Sequence, residues 1–215
     1  IRVQPSIALG AVDITVEDMV AAYGTFANQG VYVKPQFITR IEDKSGVVIY
    51  EPIPESHDAL NKDIAFAVIK LLEGVTEGGS GARLRTQGGG SGDNRWTGYP
   101  YSFTNPIAGK TGTTQNQSDG WFMGVVPNLV TGVWVGGEDR AVHFKTTRYG
   151  QGASMALPIW ANYMRSCYEV EDLNISKDEF IAPKDLSIEV DCKSKNKDGK
   201  IRFQDNSFNV PEIDF

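Results

Sequence analysis

Ala108-Gly109-Lys110-Thr111-Gly112-Thr113-Thr114, followed by Ser118-Asp119-Gly120-Trp121-Phe122-Met123-Gly124 and Val130-Thr131-Gly132-Val133-Trp134-Val135-Gly136, decides the fold. β-Branched and aromatic residues bounded by turn residues predict strands over Asn105 to Thr111, Gly120 to Val126 and Val130 to Gly136. Pro127-Asn128-Leu129 joins the last two, and connections this short allow only antiparallel pairing. Downstream, Met155, Ala156, Ile159, Trp160, Tyr163 and Met164 recur at helical spacing over Gly152 to Cys167, a helix expected to cover the sheet. Pro158 is expected in its first turn or at a kink. The fold class is α+β.

Upstream, Val16, Met19, Val20, Tyr23, Phe26 and Ala27 predict a helix to Asn28, with Thr15 and Asp18 as a capping box and Gly30 as its end. Val31 and Val33 alternate before Pro35, and Phe37 to Ile41 and Val47 to Tyr50 flank Lys44-Ser45-Gly46 as a hairpin. Asn61 caps a second helix to Val75, whose apolar face is Ile64, Ala67, Val68, Leu71, Leu72 and Val75, with Gly78 and Gly79 ending it. Residues 74–98 then hold nine glycines, a composition that forms a long loop rather than a core.

Length and charge narrow the function. The 215 residues suit one domain with an appendage, and 40% hydrophobic against 22% charged residues supports a packed core. A net charge of −6 leaves no footprint for nucleic acid. His57, His143, Cys167 and Cys192 stand far apart, so neither a metal site nor another cofactor is expected, and nothing in their setting supports a disulfide. No apolar run approaches the roughly 18 residues that span a bilayer. Residues 171–215 carry 11 acidic and 7 basic side chains, a charged extension with weak β character and a candidate hairpin across Lys197-Asp198-Gly199.

Gly109-Lys110-Thr111 is not a phosphate-binding loop, because that motif requires a glycine where Thr104 stands. An ammonium with hydroxyls at alternate positions of one strand face would hold a carboxylate. Gly112 would let the ligand approach the backbone, and the Thr113 amide would face a developing oxyanion. For an isolated triplet the plainer reading is a solvated lysine among β-forming threonines. Trp121, Phe122 and Trp134 read as core and sheet packing, Asp119 as a brace for the turn after Thr114, and His143 as part of a surface turn.

The wider context resembles the transpeptidase domain of class A penicillin-binding proteins over most of residues 1–170. The resemblance rests on Pro5-Ser6-Ile7-Ala8-Leu9-Gly10 with Asp13-Ile14-Thr15-Val16, on Ala22 through Gly30, on the Lys110 string, on the two strands after it and on Leu157-Pro158-Ile159-Trp160. It implies a penicillin-binding transpeptidase or serine beta-lactamase-like fold, here incomplete: residues 1–170 are the C-terminal part of the domain and 171–215 an extension. Of the family's three motifs, only Lys-Thr-Gly is in place. The Ser-x-x-Lys and Ser-x-Asn motifs are expected before Ile1, and the matches at Ser194 to Lys197 and Ser207 to Asn209 read as chance.

By the same resemblance, Lys110 joins the proton network and pulls on the substrate carboxylate, Thr111 and Thr113 bind that carboxylate, Gly112 lines the site, and the Thr113 amide gives one oxyanion donor. The substrate would be the D-alanyl-D-alanine end of a peptidoglycan stem peptide, mimicked by beta-lactams, with no metal or other cofactor. The setting would be the periplasmic or extracytoplasmic face of the bacterial cytoplasmic membrane, with an anchor and a glycosyltransferase domain upstream. Without the missing half of the domain the chain alone is expected to be inactive, and either a weak dimer or marginally stable. Gly78-Gly79-Ser80-Gly81-Ala82-Arg83-Leu84 matches the family's glycine segment, whereas Gly88 to Tyr101 is longer than expected and is placed beside the cleft. The alternatives are a non-catalytic carboxylate- or beta-lactam-binding sensor module of the same fold and a serine beta-lactamase.

Overall fold

The computed structural model describes residues 5–10, 12–85 and 99–190. Its centre is a three-stranded antiparallel sheet of β5 (Ala108–Thr113), β6 (Asp119–Val126) and β7 (Leu129–Gly136), in that order, so β5 is an edge strand. Two shorter ribbons stand apart: β1 (Val31–Val33) with β4 (Ser56–Asp58), and β2 (Ile41–Glu42) with β3 (Val48–Tyr50). Four α-helices stand among the described residues: α1 (Val16–Ala27), α2 (Lys62–Glu77), the short α3 (Thr147–Gly150) and α4 (Gly152–Glu169). The chain is α+β, with helices packed on an antiparallel sheet.

Local chemistry sets the helix ends. The Thr15 hydroxyl accepts from the Asp18 amide at 3.1 Å and donates to its carboxylate at 2.7 Å, closing the first turn of α1. The Asn61 side chain does the same for α2 through the Asp63 amide at 2.8 Å. Gly30, at φ +92°, ends the first helical unit, and an added Cβ would lie 2.1 Å from the Leu60 carbonyl oxygen, a position only glycine can take.

The sheet buries both faces. On one, Phe122 and Val126 pack with Trp160, Leu157, Ala156 and Met164 of α4, together with Leu84, Phe103 and Ile107. Trp160 is fully buried, stacks edgewise on Phe122 and Phe103, and donates its indole N–H to Thr131. Gly124 makes room for that ring, since a Cβ there would fall 2.2 Å from it. On the opposite face, Ala108 and Val125 meet Ile69 and Leu72 of α2, with Tyr23 and Phe26 of α1 and with Phe180.

Two expectations change and a third narrows. Phe37 to Ile41 is not a strand: pairing begins at Ile41, and Val31–Val33 finds its partner in Ser56–Asp58, a polar stretch without strand periodicity. The buried stripe of α2 is Ala65, Ile69, Leu72, Glu73 and Thr76, whereas Ile64 is 47% and Leu71 72% exposed. Small and polar residues win there because Thr76 donates to the Ile107 carbonyl, and Arg85 donates to both the hydroxyl and the carbonyl of Thr76. Of the two placements expected for Pro158, the first turn is excluded, since it is the seventh residue of α4.

The start of the charged extension lies on the body. Asn128 bonds both the Asn174 carbonyl and the Ser176 amide, Lys177 sits 4.7 Å over the Tyr168 ring, and the Ser187 amide and hydroxyl both donate to Asp63. Cys167 is buried. Cys192, the Lys197-Asp198-Gly199 hairpin, the Ser194 and Ser207 matches and most of Gly88 to Tyr101 lie outside the described residues.

Candidate active site

The Lys110 strand lies at the open edge of the sheet, and its register fixes what each residue presents. Lys110 pairs with Met123, Thr111 with Phe122, Gly112 with Trp121 and Thr113 with Gly120. Side chains alternate along a strand, so Thr111 and Thr113 share the α4 face with Phe122, and Lys110 and Gly112 share the opposite face with Trp121 and Met123. The expected single face bearing both ammonium and hydroxyls is therefore corrected: the groups straddle the edge.

The lysine nonetheless reaches back to that edge. Lys110 is exposed, and its Nζ folds over to donate to the Thr111 carbonyl at 2.7 Å. No carboxylate among the described residues pairs with it. A residue of an antiparallel edge strand points its N–H and C=O to the same side, and alternate residues point outward. With the Thr111 carbonyl turned toward Lys110, the Thr113 N–H shares the outward phase. Gly112 keeps the strand slim beside Trp121, whose Cβ would be 3.0 Å from an added one. Trp121 in turn pairs with Trp134, which is 41% exposed and so is sheet surface rather than core.

Three supports hold the strand end. The Thr113 hydroxyl accepts the Gly152 amide at 3.0 Å, tying β5 to the first residue of α4. The turn between β5 and β6 is closed by Asp119, whose amide donates to the Thr114 hydroxyl at 3.0 Å and whose carboxylate accepts from it at 3.2 Å, as the sequence predicts. Beyond the edge, the Ser80 hydroxyl meets that of Thr111 at 2.6 Å. Ser80 and Gly152 were not singled out from the sequence as site residues. The only signal was the glycine segment around Ser80, because a backbone N–H leaves no trace in composition.

His143 is exposed, with Nδ1 3.1 Å from the Phe144 carbonyl, in a segment that leans on the turn through Phe144 and Gln117. No group of three or more histidine, cysteine, aspartate or glutamate side chains among the described residues is arranged to hold a metal ion. The edge thus offers an ammonium, two hydroxyls and an outward amide, a set suited to a carboxylate and a developing oxyanion.

The profile of the family described as penicillin binding protein transpeptidase domain matches residues 3–159. Penicillin-binding protein 1A of Aquifex aeolicus is 35% identical over 84% of this chain and 23% of its own length. The chain spans under a quarter of the curated relatives it matches. Among solved structures, the PonA1 protein of Mycobacterium tuberculosis in complex with penicillin V is similar at a TM-score of 0.63 and 26% identity, over 83% of this chain and 43% of that one. Penicillin-binding protein 1A of Haemophilus influenzae shares the fold at a TM-score of 0.67 and 22% identity, over 83% of this chain and 29% of that one.

Proposed function

The chain belongs to the penicillin-binding protein transpeptidase domain family, and we propose that it supplies the substrate-holding strand of a serine-type D-alanyl-D-alanine transpeptidase. The carboxylate of a peptidoglycan stem peptide sits against Lys110, Thr111 and Thr113, with Gly112 giving the ligand access to the backbone. The Thr113 N–H stabilises negative charge on the scissile carbonyl oxygen. A serine from outside this sequence attacks that carbonyl, and the terminal D-alanine leaves with a proton on its nitrogen. The acyl-serine then passes its acyl group to an amine of a neighbouring stem, which forms the cross-link and restores the serine hydroxyl. Beta-lactams acylate the same serine, in keeping with the penicillin V bound to the PonA1 relative.

The observation that carries this reading is the open edge of β5: an exposed ammonium without a carboxylate partner among the described residues, beside two threonine hydroxyls and an outward amide. On the same reading, residues 1–170 belong to the catalytic domain and 171–215 form an extension. The whole protein works on the outer face of the cytoplasmic membrane, with its anchor and glycosyltransferase domain outside this sequence. No helix among the described residues is long and apolar enough to cross a membrane.

Intact mass spectrometry after incubation with penicillin tests the proposal on two proteins, the 215-residue chain and the full-length protein. The full-length protein is expected to gain one penicillin mass and the shorter chain none, and Lys110→Met should slow acylation at least about 100-fold. Absence of an adduct on the full-length protein refutes the reading, and an adduct on the shorter chain returns the nucleophile to a residue such as Ser194.

A further inference from the structure

We propose that Ser80 is a positioning residue for the carboxylate site, acting through the hydroxyl of Thr111; this rests on the function proposed above. The glycine segment after α2 crosses the open edge of β5, and Ser80 is its point of contact. The crossing is built from the backbone outward. The Gly81 amide donates to the Val75 carbonyl at 2.9 Å and the Ala82 amide to the Gly79 carbonyl at 3.1 Å, which folds residues 78–82 into a tight turn. A Cβ on Gly79 would stand 2.9 Å from Val75 Cα, and one on Gly81 3.2 Å from the Val75 carbonyl oxygen, so the backbone of the turn packs closely against the end of α2.

Both ends of that turn are anchored. Before it, Thr76 is fully buried and bonded to the Ile107 carbonyl just ahead of β5. After it, Leu84 is fully buried, and Arg83 donates to the Ala153 carbonyl and the Ser154 hydroxyl at the start of α4. The Ser80 backbone therefore has little freedom, and its hydroxyl is delivered to Thr111 from outside the sheet at 2.6 Å.

A hydroxyl carries one proton and two lone pairs, and an ionised carboxylate only accepts. When Ser80 donates to Thr111 Oγ1, the Thr111 proton is directed away from Ser80 and toward an incoming carboxylate. The resulting chain, Ser80 to Thr111 to carboxylate, strengthens the outer bond by polarising the inner one. Without Ser80 the Thr111 hydroxyl rotor is unconstrained and its other acceptor site is left to water. A mere tether of the loop to the strand would serve every substrate alike, whereas this arrangement matters only when the substrate carries a carboxylate.

The test measures second-order acylation rates of the full-length protein with benzylpenicillin and with its methyl ester. Ser80→Ala is expected to slow benzylpenicillin about three- to tenfold, the worth of one neutral hydrogen bond, and to leave the ester unchanged. Ser80→Thr, which retains the hydroxyl, should restore the rate, and the thermal midpoint of both variants reports folding. Equal slowing on acid and ester, or no slowing on either, overturns the assignment. No acylation of the unsubstituted protein overturns instead the reading on which it rests, and the assignment with it.

Discussion

Substituting Gly152 by alanine tests whether the junction of α4 with β5 holds the candidate site in place. The Gly152 amide donates to the Thr113 hydroxyl at 3.0 Å, and a Cβ on this residue would fall 2.3 Å from the Gly112 carbonyl oxygen and 2.4 Å from that of Trp121. An ordinary carbon–oxygen contact is about 3.3 Å, so the helix start must retreat by about 1 Å. Both obstacles are backbone atoms of the β5–β6 ladder, which cannot swing aside as a side chain would. Overpacking of this kind costs about 1–3 kcal/mol, a fall in thermal midpoint of roughly 2–12 °C for a chain this size. A displacement of about 1 Å at Thr113 should also slow penicillin acylation of the full-length protein about 100-fold. Gly124→Ala is the control: it forces a Cβ against the buried Trp160 ring but sits three register pairs from Gly112. It should destabilise as much while the folded protein acylates normally. Gly152→Ala with an unchanged midpoint and acylation rate refutes the reasoning, and equal kinetic loss in both variants refutes the local argument.

Gly74 lies exposed inside α2 with nothing within 4 Å of an added Cβ, so Gly74→Ala should stabilise the chain by about 0.5–1 kcal/mol in urea unfolding. Thr76→Val keeps the shape of a fully buried side chain but removes the donor to the Ile107 carbonyl and an acceptor of Arg85. It should lower the urea midpoint by the equivalent of about 1–3 kcal/mol without altering the slope. The hydroxyl and amide of Ser187 hold the Asp63 carboxyl below its usual range, so the stability they lend is present above about pH 3.9 and is lost as pH falls through the depressed value. Ser187→Ala should flatten that acid limb in unfolding curves taken from pH 2 to 6, and an unaltered acid limb would remove Ser187 from the account.

The parts of this fold that read directly from the residues are those in which one local preference acts alone. Thr15 and Asn61 cap their helices as their side chains dictate, and Asp119 braces the turn after Thr114 because a carboxylate five residues on meets the hydroxyl through a short loop. Reading failed where a position answers to a distant partner. Apolar spacing places Ile64 and Leu71 on the buried face of α2, yet both are exposed and Thr76 is buried, because the contact just ahead of β5 needs a hydroxyl for the Ile107 carbonyl more than another methyl group. β4 was invisible because Ser56, His57 and Asp58 are all exposed and are strand only by pairing with Val31–Val33. The site divides the same way. Lys110, Thr111, Gly112 and Thr113 stand out as a string, but that string is silent on which face each residue takes until the register with Met123, Phe122, Trp121 and Gly120 is known. Ser80 and Gly152 reach the strand from 31 and 39 residues away, one by a hydroxyl and one by a backbone amide, so neither has a neighbour in sequence that marks it. Alternation alone separates the lysine from the threonines, and the β5 edge, with no further strand bonded beyond it among the described residues, leaves the lysine room to return over the Thr111 carbonyl. A further strand paired to β5 would occupy the outward Thr113 N–H, so the chemistry proposed for this strand requires that its edge stay open, as it is among the described residues.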